Sequence, residues 1–444
     1  MAVPGAITVE PANRLEGELR LPGDKSISHR ALMLALLASG TSRINGAGDG
    51  ADVRSTAGIV AALGATVDRS ADVTGNADYV VGSPGVAGGL RQPGAPLDCA
   101  NSGTSMRLFA GILAGQPIRA ILEGDASLRR RPMARVTKPL RAMGAWLEGM
   151  AGERPPLIVV GRRPLKSITW EPDIPSAQVK SAILLAGLAA DGTTRVREPV
   201  ATRDHTERML RARGVPVRTS AHDNGGAAVE VDGGVTPRAV DEHVPGDPSA
   251  AAFWLVAGAI QPAARLQIRH VGVNPTRRAV VDLLRTMGAR IEETPTNAAD
   301  DVGEPVADLT VRSSELEAIE LGPAQTASAI DEIPILCLAA TQARGRSVIR
   351  GAGELRHKES DRIAGIVAGL VAMGARIEAV GDDIVIDGPT ALQGAVVDSL
   401  GDHRLAMTFA IAGLVAGGAT TILGADSVAI SYPTFFADLE RIRS

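Results

Sequence analysis

The sequence is poor in aromatic residues and in cysteine. Phe, Trp and Tyr together make up 2% of its 444 residues, and its two cysteines are Cys99 and Cys337. So few rings argue against a platform on which nucleic-acid bases would stack. Two cysteines supply neither a disulfide framework nor the paired ligands of a structural zinc site. This use of cysteine is typical of a reducing compartment, so we expect a cytoplasmic protein.

Common nucleotide and metal motifs are also missing. The sequence has no G-x-x-x-x-G-K-[ST] phosphate loop and no H-E-x-x-H pair, and residues 46–50 do not form a G-x-G-x-x-G fingerprint. The net charge of -4 argues against nucleic acid as the main partner, because such proteins usually carry a basic surface. We therefore expect no metal, no cofactor and no nucleic-acid partner.

No long uninterrupted hydrophobic run is present. The start of the chain lacks the basic and apolar regions of a signal peptide, so we expect none. The most apolar tract, residues 405–423, follows Arg404 and is broken by Gly413, Gly417 and Gly418. This pattern predicts a buried helix, a glycine-rich turn and a strand rather than a membrane span.

One pattern recurs along the chain: a helical stretch that ends at a glycine and continues as a strand. The glycines that end these stretches are Gly64, Gly144, Gly214, Gly288 and Gly374. Their spacing of roughly 75 residues is longer than a solenoid repeat and suits a small α/β unit of several strands and helices. A degenerate last copy begins near Phe435, so we expect about six copies.

Six copies and 444 residues favour two similar domains of three copies each. The proline–glycine segments near residues 21–23 and 242–246 are the expected crossing points between them. The predicted domains are residues 22–244 and residues 1–21 plus 245–444. The N-terminal strand would then belong to the C-terminal half, and the active site would lie in the cleft between the two domains.

Nine polar segments stand at the predicted starts of helices, where free N–H groups and the helix dipole favour anions. Each of them is explained equally well, taken singly, as a solvated turn or a helix cap. Together they indicate a cleft that binds several phosphates and carboxylates. The segments are residues 21–30, 98–108, 125–133, 175–181, 201–207, 245–251, 329–334, 355–362 and 401–404.

Two of these segments also contain carboxylates. Asp331 and Glu332 lie between apolar neighbours, a setting that raises the pKa of a carboxyl group towards that of a general base unless the group is paired with a cation. The alternative is a plain acidic pair at a helix start. Lys358 and Arg362 are four residues apart and would share a helix face beside Glu359. The alternative here is a helix with surface salt bridges.

The combined motifs resemble the family of 3-phosphoshikimate 1-carboxyvinyltransferases, or EPSP synthases, in the form of its second class. The resemblance spans almost the whole chain, with its motifs in order. The matching segments are LPGDKSISHRA, NSGTSMRL, RRRPM, PSAQVKSA, TRDHTERML, PGDPSAAAF, DEIPIL, KESDR and GDHRLAM. The resemblance implies an α/β (α+β) fold of two pseudo-symmetric domains. Each domain would contain three βαβαββ units, as an inside-out α/β barrel, and a double crossover would join the two.

The family's reaction is addition followed by elimination, and it needs no metal and no covalent enzyme intermediate. The 5-hydroxyl of shikimate 3-phosphate attacks C2 of phosphoenolpyruvate while C3 is protonated, and the tetrahedral adduct then loses phosphate. By motif, the resemblance assigns catalysis to Asp331 as base and to Glu359 with Lys25 for the proton at C3. A monomer acting on these two small molecules, without a membrane or nucleic-acid partner, is expected.

The resemblance also assigns the binding residues, position by position. Those for shikimate 3-phosphate are Lys25, Ser26, Arg30, Ser176, Ala177, Gln178, Arg203, Asp331 and Lys358. Those for phosphoenolpyruvate are Lys25, Gly103, Arg131, Gln178, Arg362, His403 and Arg404.

Two alternatives remain open at this point. A sister enzyme of the same fold transfers the enolpyruvyl group to UDP-N-acetylglucosamine. It typically carries a cysteine in the loop after the second motif, and residues 115–131 contain none. A non-catalytic anion-binding protein is the other alternative. It would gain nothing from the acids Asp331 and Glu359.

Overall fold

A computed structural model describes residues 5–72, 74–221, 226–297 and 303–443. Within them the chain forms 23 strands and 14 helices. The strands are β1 (Ile7–Val9), β2 (Leu15–Arg20), β3 (Gly40–Gly48), β4 (Thr66–Ala71), β5 (Asn76–Ser83), β6 (Leu97–Asp98), β7 (Arg119–Glu123), β8 (Trp146–Met150), β9 (Arg154–Val160), β10 (Thr169–Trp170), β11 (Thr193–Glu198), β12 (Val217–Ala221), β13 (Ala227–Asp232), β14 (Glu242–His243), β15 (Ala264–Gly272), β16 (Arg290–Pro295), β17 (Val306–Arg312), β18 (Glu320–Leu321), β19 (Gly345–Ile349), β20 (Arg376–Val380), β21 (Asp383–Gly388), β22 (Val396–Asp398) and β23 (Thr420–Leu423).

The helices differ widely in length, and two of them are single short turns. They are α1 (Lys25–Leu37), α2 (Ala51–Ala62), α3 (Gly85–Gly88), α4 (Gly103–Ala114), α5 (Ala134–Ala142), α6 (Ala177–Gly187), α7 (His205–Ala212), α8 (Pro248–Ile260), α9 (Ala279–Thr286), α10 (Pro323–Ser328), α11 (Ile333–Gln342), α12 (Arg362–Ala372), α13 (His403–Leu414) and α14 (Phe435–Ile442).

The chain divides into two compact units. The terminal unit contains residues Met1–Pro22, Pro245–Ala299 and Pro305–Ser444. The middle unit contains residues Gly23–Val244 together with Asp300–Glu304. Each unit has its own hydrophobic core of buried side chains.

Three sheets of one design lie in the middle unit. Their strand orders are β14-β3-β5-β4, β6-β7-β9-β8 and β10-β11-β13-β12. In each sheet the first two strands are parallel and the other neighbours are antiparallel. Along the chain, the sheets that begin with β6 and β10 follow the order βαβαββ. The third sheet differs because its first strand, β14, comes from the end of the unit. The repeat read from the glycine spacing is therefore a real structural unit.

The terminal unit repeats this design. Its sheets have the orders β2-β15-β17-β16, β18-β19-β21-β20 and β22-β23-β1. Strands β15 and β2 are parallel, with Leu19 opposite Ile268, and strand β1 closes the last sheet antiparallel to β23. The mixed α/β architecture of two similar halves, predicted from the repeat and the resemblance, is confirmed.

The five repeat glycines end their helices as predicted. Each has a positive φ between 76° and 109°, a conformation that glycine adopts without the steric cost of a Cβ atom. The apolar tract at residues 405–423 contains the end of helix α13 and strand β23, as expected. Among the described residues, no helix is both long enough and apolar enough to cross a membrane.

Each repeat contributes one helix that is buried along nearly its whole length. In the middle unit these are α1, α4 and α6, and in the terminal unit α8, α11 and α13. Helices α4 and α6 approach so closely that a Cβ on Gly111 would lie 2.2 Å from the Ala182 carbonyl oxygen. Other helices of the repeats, such as α7 and α9, are amphipathic and bury only one face.

Candidate active site

Six of the nine predicted polar segments stand at the N-termini of the six buried helices. Asp24 begins α1 by accepting a hydrogen bond from Ile27 N–H, and Ser102 begins α4 in the same way with Ser105 N–H. The side chains of Ser176, Asp247 and Asp402 begin α6, α8 and α13. Helix α11 follows Glu332 directly. Each copy of the repeat therefore contributes one helix N-terminus that carries polar or charged side chains, which gives three in each unit.

The first predicted segment differs from expectation in where its helix lies. Pro22 and Gly23 predict a turn that carries Lys25, and Gly40 predicts the end of the helix that follows. Helix α1 instead begins at Lys25, because the Asp24 carboxylate caps it, and ends at Leu37 with Ala38 as its C-cap. Gly40 begins strand β3, with a φ of 115°. Lys25 and Ser26 thus lie in the first turn of the helix, nearest its positive dipole end.

Lys25 is paired with a carboxylate from the neighbouring helix. Its Nζ lies 3.2 Å from Oδ2 of Asp52, in the first turn of α2. The Asp52 side chain is 6% exposed and that of Lys25 is 26% exposed. The ammonium group is therefore held in place at one side and still reaches solvent.

Arg30 lies deep in the middle unit and joins three helices. Its Nε donates to Thr206 Oγ1 on α7 at 2.8 Å, its Nη2 to Ser181 Oγ on α6 at 2.9 Å, and its Nη1 to the Ser26 carbonyl at 2.9 Å. Burial lowers the pKa of Arg30 to about 10, and the carboxylates of Glu207 and Asp24 offset only part of that effect.

Gly103 is surrounded by guanidinium groups. A Cβ at this position would lie 2.6 Å from Nη1 of Arg107 and 3.4 Å from Nη1 of Arg131. Arg107 Nη1 donates to Gln178 Oε1 at 2.5 Å, and Arg131 Nη2 donates to Asn101 Oδ1 at 2.9 Å. The segments that begin α4 and α6 and the three-arginine segment therefore meet at one point.

Arg203 lies between β11 and α7, on a loop that a buried ion cluster fixes. Lys180 Nζ lies 2.8 Å from Glu198 Oε2 and 2.7 Å from Glu207 Oε1, and it donates to the Thr202 carbonyl at 3.3 Å. Burial alone would lower the pKa of Lys180, but the two carboxylates raise it above its ordinary value. The lysine side chain and both glutamates are 2% exposed, so this cluster holds the loop from within the core.

In the terminal unit, Arg362 is the centre of a charged cluster. Its Nη2 donates to Glu359 Oε2 at 2.6 Å and its Nε to Asp402 Oδ2 at 2.7 Å. Ser360 Oγ also donates to Asp402, at 3.1 Å. Burial would lower the pKa of the Arg362 guanidinium, but the Glu359 and Asp402 carboxylates raise it instead. Burial likewise would raise the pKa of Asp402, and Arg362 holds it below its ordinary value.

Asp331 connects this cluster to a second arginine. Its Oδ1 lies 3.2 Å from Lys358 Nζ and 3.8 Å from Arg362 Nη1. Its backbone carbonyl accepts a hydrogen bond from Arg404 Nη1 at 2.9 Å. Two cations therefore face one carboxylate oxygen, an arrangement that favours its ionised form.

The prediction that Lys358 and Arg362 share a helix face was wrong. Residues Gly353–His357 form a short 3-10 turn, and helix α12 begins only at Arg362, because Asp361 caps it by accepting from Ala364 N–H. Lys358 lies in the preceding loop. The two cations meet at Asp331 through tertiary structure rather than through helix periodicity.

Within each unit the structure brings most predicted residues near one another. In the middle unit Gly103, Arg131 and Gln178 form one group, and Ser26 and Arg30 are in direct contact. Ser176 caps α6 and Ala177 is its first residue. In the terminal unit Asp331, Lys358, Glu359, Arg362 and Arg404 form one network, and buried His403 begins α13.

Sequence reasoning missed three members of these clusters. Arg107 lies in the segment at residues 98–108 but was not assigned a part, and Asn101 precedes it in the same segment. Asp402 reads as an ordinary helix cap, which it also is, since it accepts from Arg404 N–H at 2.9 Å. Its second contact, with Arg362, joins residues from two different repeats, so no local pattern reveals it. No group of three potential metal ligands occurs among the described residues.

Comparison with known proteins gives one consistent result. The family model described as EPSP synthase (3-phosphoshikimate 1-carboxyvinyltransferase) matches residues 9–439. A protein named 3-phosphoshikimate 1-carboxyvinyltransferase from Bacillus cereus (strain ATCC 10987 / NRS 248) is 47% identical over 437 residues, covering 98% of this chain and 99% of that protein. Its namesake from Anaeromyxobacter sp. (strain Fw109-5) is 48% identical over 437 residues, with 98% of each covered.

A solved structure agrees with the sequence matches. The EPSP synthase structure from Acinetobacter baumannii superimposes with a TM-score of 0.86 at 40% identity, covering 99% of this chain and 98% of that one. The resemblance read from the nine motifs is thereby confirmed. The names of these relatives favour shikimate 3-phosphate over the sugar-nucleotide acceptor of the sister enzyme, and an enzyme over a non-catalytic binding protein.

Proposed function

The chain belongs to the EPSP synthase family, and on that premise we propose that it transfers the enolpyruvyl group of phosphoenolpyruvate to the 5-hydroxyl of shikimate 3-phosphate. Phosphate is the second product. One observation supports a catalytic reading above all others. The acids Asp331 and Glu359 both lie beside the buried Arg362, at 3.8 Å and 2.6 Å. Proton-transfer groups and an anion-binding cation thus occupy a single cluster.

Asp331 is proposed as the base that takes the proton of the 5-hydroxyl as its oxygen attacks C2. Ionised carboxylate is the form that this step requires, and the adjacent Lys358 and Arg362 favour it. Glu359, with Lys25, is proposed to deliver the proton to C3. Loss of a proton from C3 and cleavage of the bond between C2 and the phosphate oxygen then complete the elimination.

The middle unit is proposed to bind the anionic groups. It contains Lys25 and Arg30 in α1, Arg131 beside Gly103 at the start of α4, and Arg203 just before α7, and positively charged helix ends favour phosphate and carboxylate. Ser26, Ser176, Ala177 and Gln178 would add hydrogen bonds to shikimate 3-phosphate, and Gly103 would let phosphoenolpyruvate approach the backbone.

In the terminal unit, Lys358 would contact shikimate 3-phosphate, while Arg362, His403 and Arg404 would contact phosphoenolpyruvate. Positioning and electrostatic stabilisation would then supply most of the reduction in the barrier, without a metal or cofactor. The location of the site between the two units, the monomeric state, the cytoplasmic location and the lack of a nucleic-acid partner stay predictions.

Phosphate release from phosphoenolpyruvate tests the acceptor directly. We expect release with shikimate 3-phosphate and none with UDP-N-acetylglucosamine. The opposite preference would overturn the proposal.

The roles of the acids require variants. Asp331→Asn and Glu359→Gln should each lower kcat about 100-fold or more, since general acid–base groups contribute on this scale. Glu315→Gln is the matched control, because Glu315 is an exposed acid of the same unit paired with Arg344. Near-normal turnover in both active-site variants would remove the acids from the mechanism.

A further inference from the structure

Glu332 follows Asp331 in the sequence, yet its side chain lies in a different set of contacts. Asp331 faces Lys358 and Arg362, whereas Oε1 of Glu332 lies 3.6 Å from Nη1 of Arg404. The Glu332 side chain is 7% exposed. A carboxylate this deeply buried needs compensating partners, and the position of those partners indicates what it does.

The partner on the other side is a hydroxyl whose direction is fixed. Ser249, at the start of α8, donates to Glu332 Oε1 and accepts from Arg277 Nη2 at 3.0 Å. An arginine can only donate, so the Ser249 oxygen accepts there and its hydrogen is left for Glu332. Arg277 Nη2 also donates to Asp247 Oδ1 at 3.1 Å. Glu332 is therefore held as a hydrogen-bond acceptor, with the Ser249 hydroxyl on one side and Arg404 on the other.

Arg404 is restrained through one nitrogen only. Its Nη1 donates to the Asp331 carbonyl at 2.9 Å and lies beside Glu332. Its Nε and Nη2 have no partner among the residues that the structure describes, and the side chain is 12% exposed. The Nε and Nη2 hydrogens form one edge of the guanidinium plane, the geometry that binds a carboxylate or phosphate through two parallel hydrogen bonds.

From this arrangement we propose that Glu332 is a positioning residue for phosphoenolpyruvate. It fixes Nη1 of Arg404 and so turns the Nε–Nη2 edge towards the anion, while Ser249 and Arg277 fix Glu332 in turn. The inference rests on the proposed function, because it takes Arg404 as a contact of phosphoenolpyruvate. It adds that Glu332 acts on the binding of phosphoenolpyruvate, whereas the adjacent Asp331 takes the proton of the 5-hydroxyl.

The contacts of Glu332 extend to the point where the chain passes between the two units. Asp247, which accepts from Arg277, donates its backbone N–H to the Pro22 carbonyl at 3.0 Å. Pro22 and Pro245 are the residues at which the chain leaves and re-enters the terminal unit. Arg404 is thus connected, through Glu332, Ser249, Arg277 and Asp247, to the segment where the two units join along the chain.

Steady-state kinetics with phosphate release separates positioning from general damage. Glu332→Gln keeps an acceptor for Ser249 but removes the charge beside Arg404. We expect KM for phosphoenolpyruvate to rise about tenfold, KM for shikimate 3-phosphate to stay within about twofold, and kcat to fall less than about threefold. Ser249→Ala should shift KM for phosphoenolpyruvate in the same direction by a smaller factor.

Glu293→Gln is the matched control. Glu293 also lies between two arginines of the terminal unit, Arg278 and Arg285, at 3.0 Å and 3.3 Å. It should leave both KM values unchanged. If both KM values rise equally in Glu332→Gln, or neither rises, the positioning role is wrong.

A double variant tests whether Glu332 acts through Arg404. Once Arg404→Lys has removed the two-nitrogen edge, adding Glu332→Gln should raise KM for phosphoenolpyruvate by less than about twofold. A full multiplication of the two effects would overturn the inference, and so would an unchanged KM in Arg404→Lys. Absence of any phosphate release by the unaltered protein would instead overturn the proposed function.

Discussion

Two buried arginines, Arg30 in the middle unit and Arg362 in the terminal unit, are held in opposite ways. Neutral oxygens surround the guanidinium of Arg30: two hydroxyls and a carbonyl. Carboxylates of Glu359 and Asp402 surround that of Arg362. Burial accordingly lowers the pKa of Arg30, whereas the carboxylates outweigh burial and raise the pKa of Arg362.

This difference suggests that the groups around Arg30 and those around Arg362 have different functions. An arginine held by neutral groups keeps its positive charge available to an arriving anion. An arginine held by carboxylates neutralises them and keeps them ionised and oriented, as proton transfer requires. The surroundings of Arg30 are therefore suited to binding, whereas those of Arg362 add proton transfer to the phosphoenolpyruvate contacts proposed for the terminal unit.

The largest expected effect comes from removing each arginine in turn. Arg362→Met leaves Asp402 as a buried carboxylate without its cation, and breaking such a pair costs about 3–5 kcal/mol of unfolding free energy. Arg30→Met leaves Ser181 and Thr206, whose hydroxyls already bond at 2.7 Å, so a loss of about 1–3 kcal/mol is expected. Urea unfolding followed by circular dichroism measures both.

Arg346→Met is the control for this pair, because Arg346 is an exposed arginine that pairs with Asp387 on the surface. It should leave the unfolding midpoint unchanged. Equal losses of unfolding free energy in Arg30→Met and Arg362→Met would mean that the two settings do not differ energetically, and would contradict the proposed difference.

A smaller effect is expected at Gly103, where Arg107 and Gln178 meet. In Gly103→Ala the new methyl group would lie 2.6 Å from Arg107 Nη1, so this guanidinium must move away from Gln178. We expect KM for phosphoenolpyruvate to rise about three- to tenfold with a smaller change in kcat, because binding is lost rather than chemistry.

Gly58→Ala is the matched control, since a Cβ on this helical glycine would meet no atom within 4 Å. It should leave the kinetics unchanged and add slightly to stability through helix propensity. A fall in kcat at constant KM in Gly103→Ala would assign the middle unit to the chemical step and contradict the division proposed above.

Much of this organisation was readable from the sequence, and the limit has a physical cause. The repeat glycines report a local backbone requirement, and the helix caps report local hydrogen bonds, so both appear as patterns over a few residues. Ser26 and Glu359 are local partners of Arg30 and Arg362, but other partners come from other repeats, such as Ser181 on α6 and Asp402 before α13. Such pairings depend on tertiary packing, and no spacing in the chain encodes them.

The start of α12 illustrates the same limit at short range. Periodicity alone favoured a helix through Lys358 and Arg362, but the Asp361 side chain caps the helix and moves its start. The roles of Asp331 and Glu332 were likewise inseparable by position, since adjacent acids differ only in what their side chains meet. The assignment of individual residues to substrates rests on the resemblance and stays a prediction.

The smallest expected effect concerns pH and the histidine beside Arg30. His29 is buried in α1, where its Nδ1 lies 2.7 Å from Thr56 Oγ1. Burial, followed by the charges of Lys25 and Arg30, holds its pKa well below the ordinary value of 6.5. As the pH falls through 6.5, the unfolded chain takes up a proton at His29 and the folded protein does not. The unfolded state then binds more protons, so stability decreases.

His29→Asn removes this titration while keeping a polar group near Thr56. Below pH 6.5 the unfolding free energy of the unaltered protein should fall more steeply than that of the variant, by up to about 1.4 kcal/mol per pH unit. Urea unfolding at about pH 7.5, 6.5 and 5.5 measures the difference in slope. Parallel slopes would mean that the folded imidazole takes up a proton despite Lys25 and Arg30. The surroundings of Arg30 would then lack the net positive field that distinguishes them from the carboxylate-rich surroundings of Arg362.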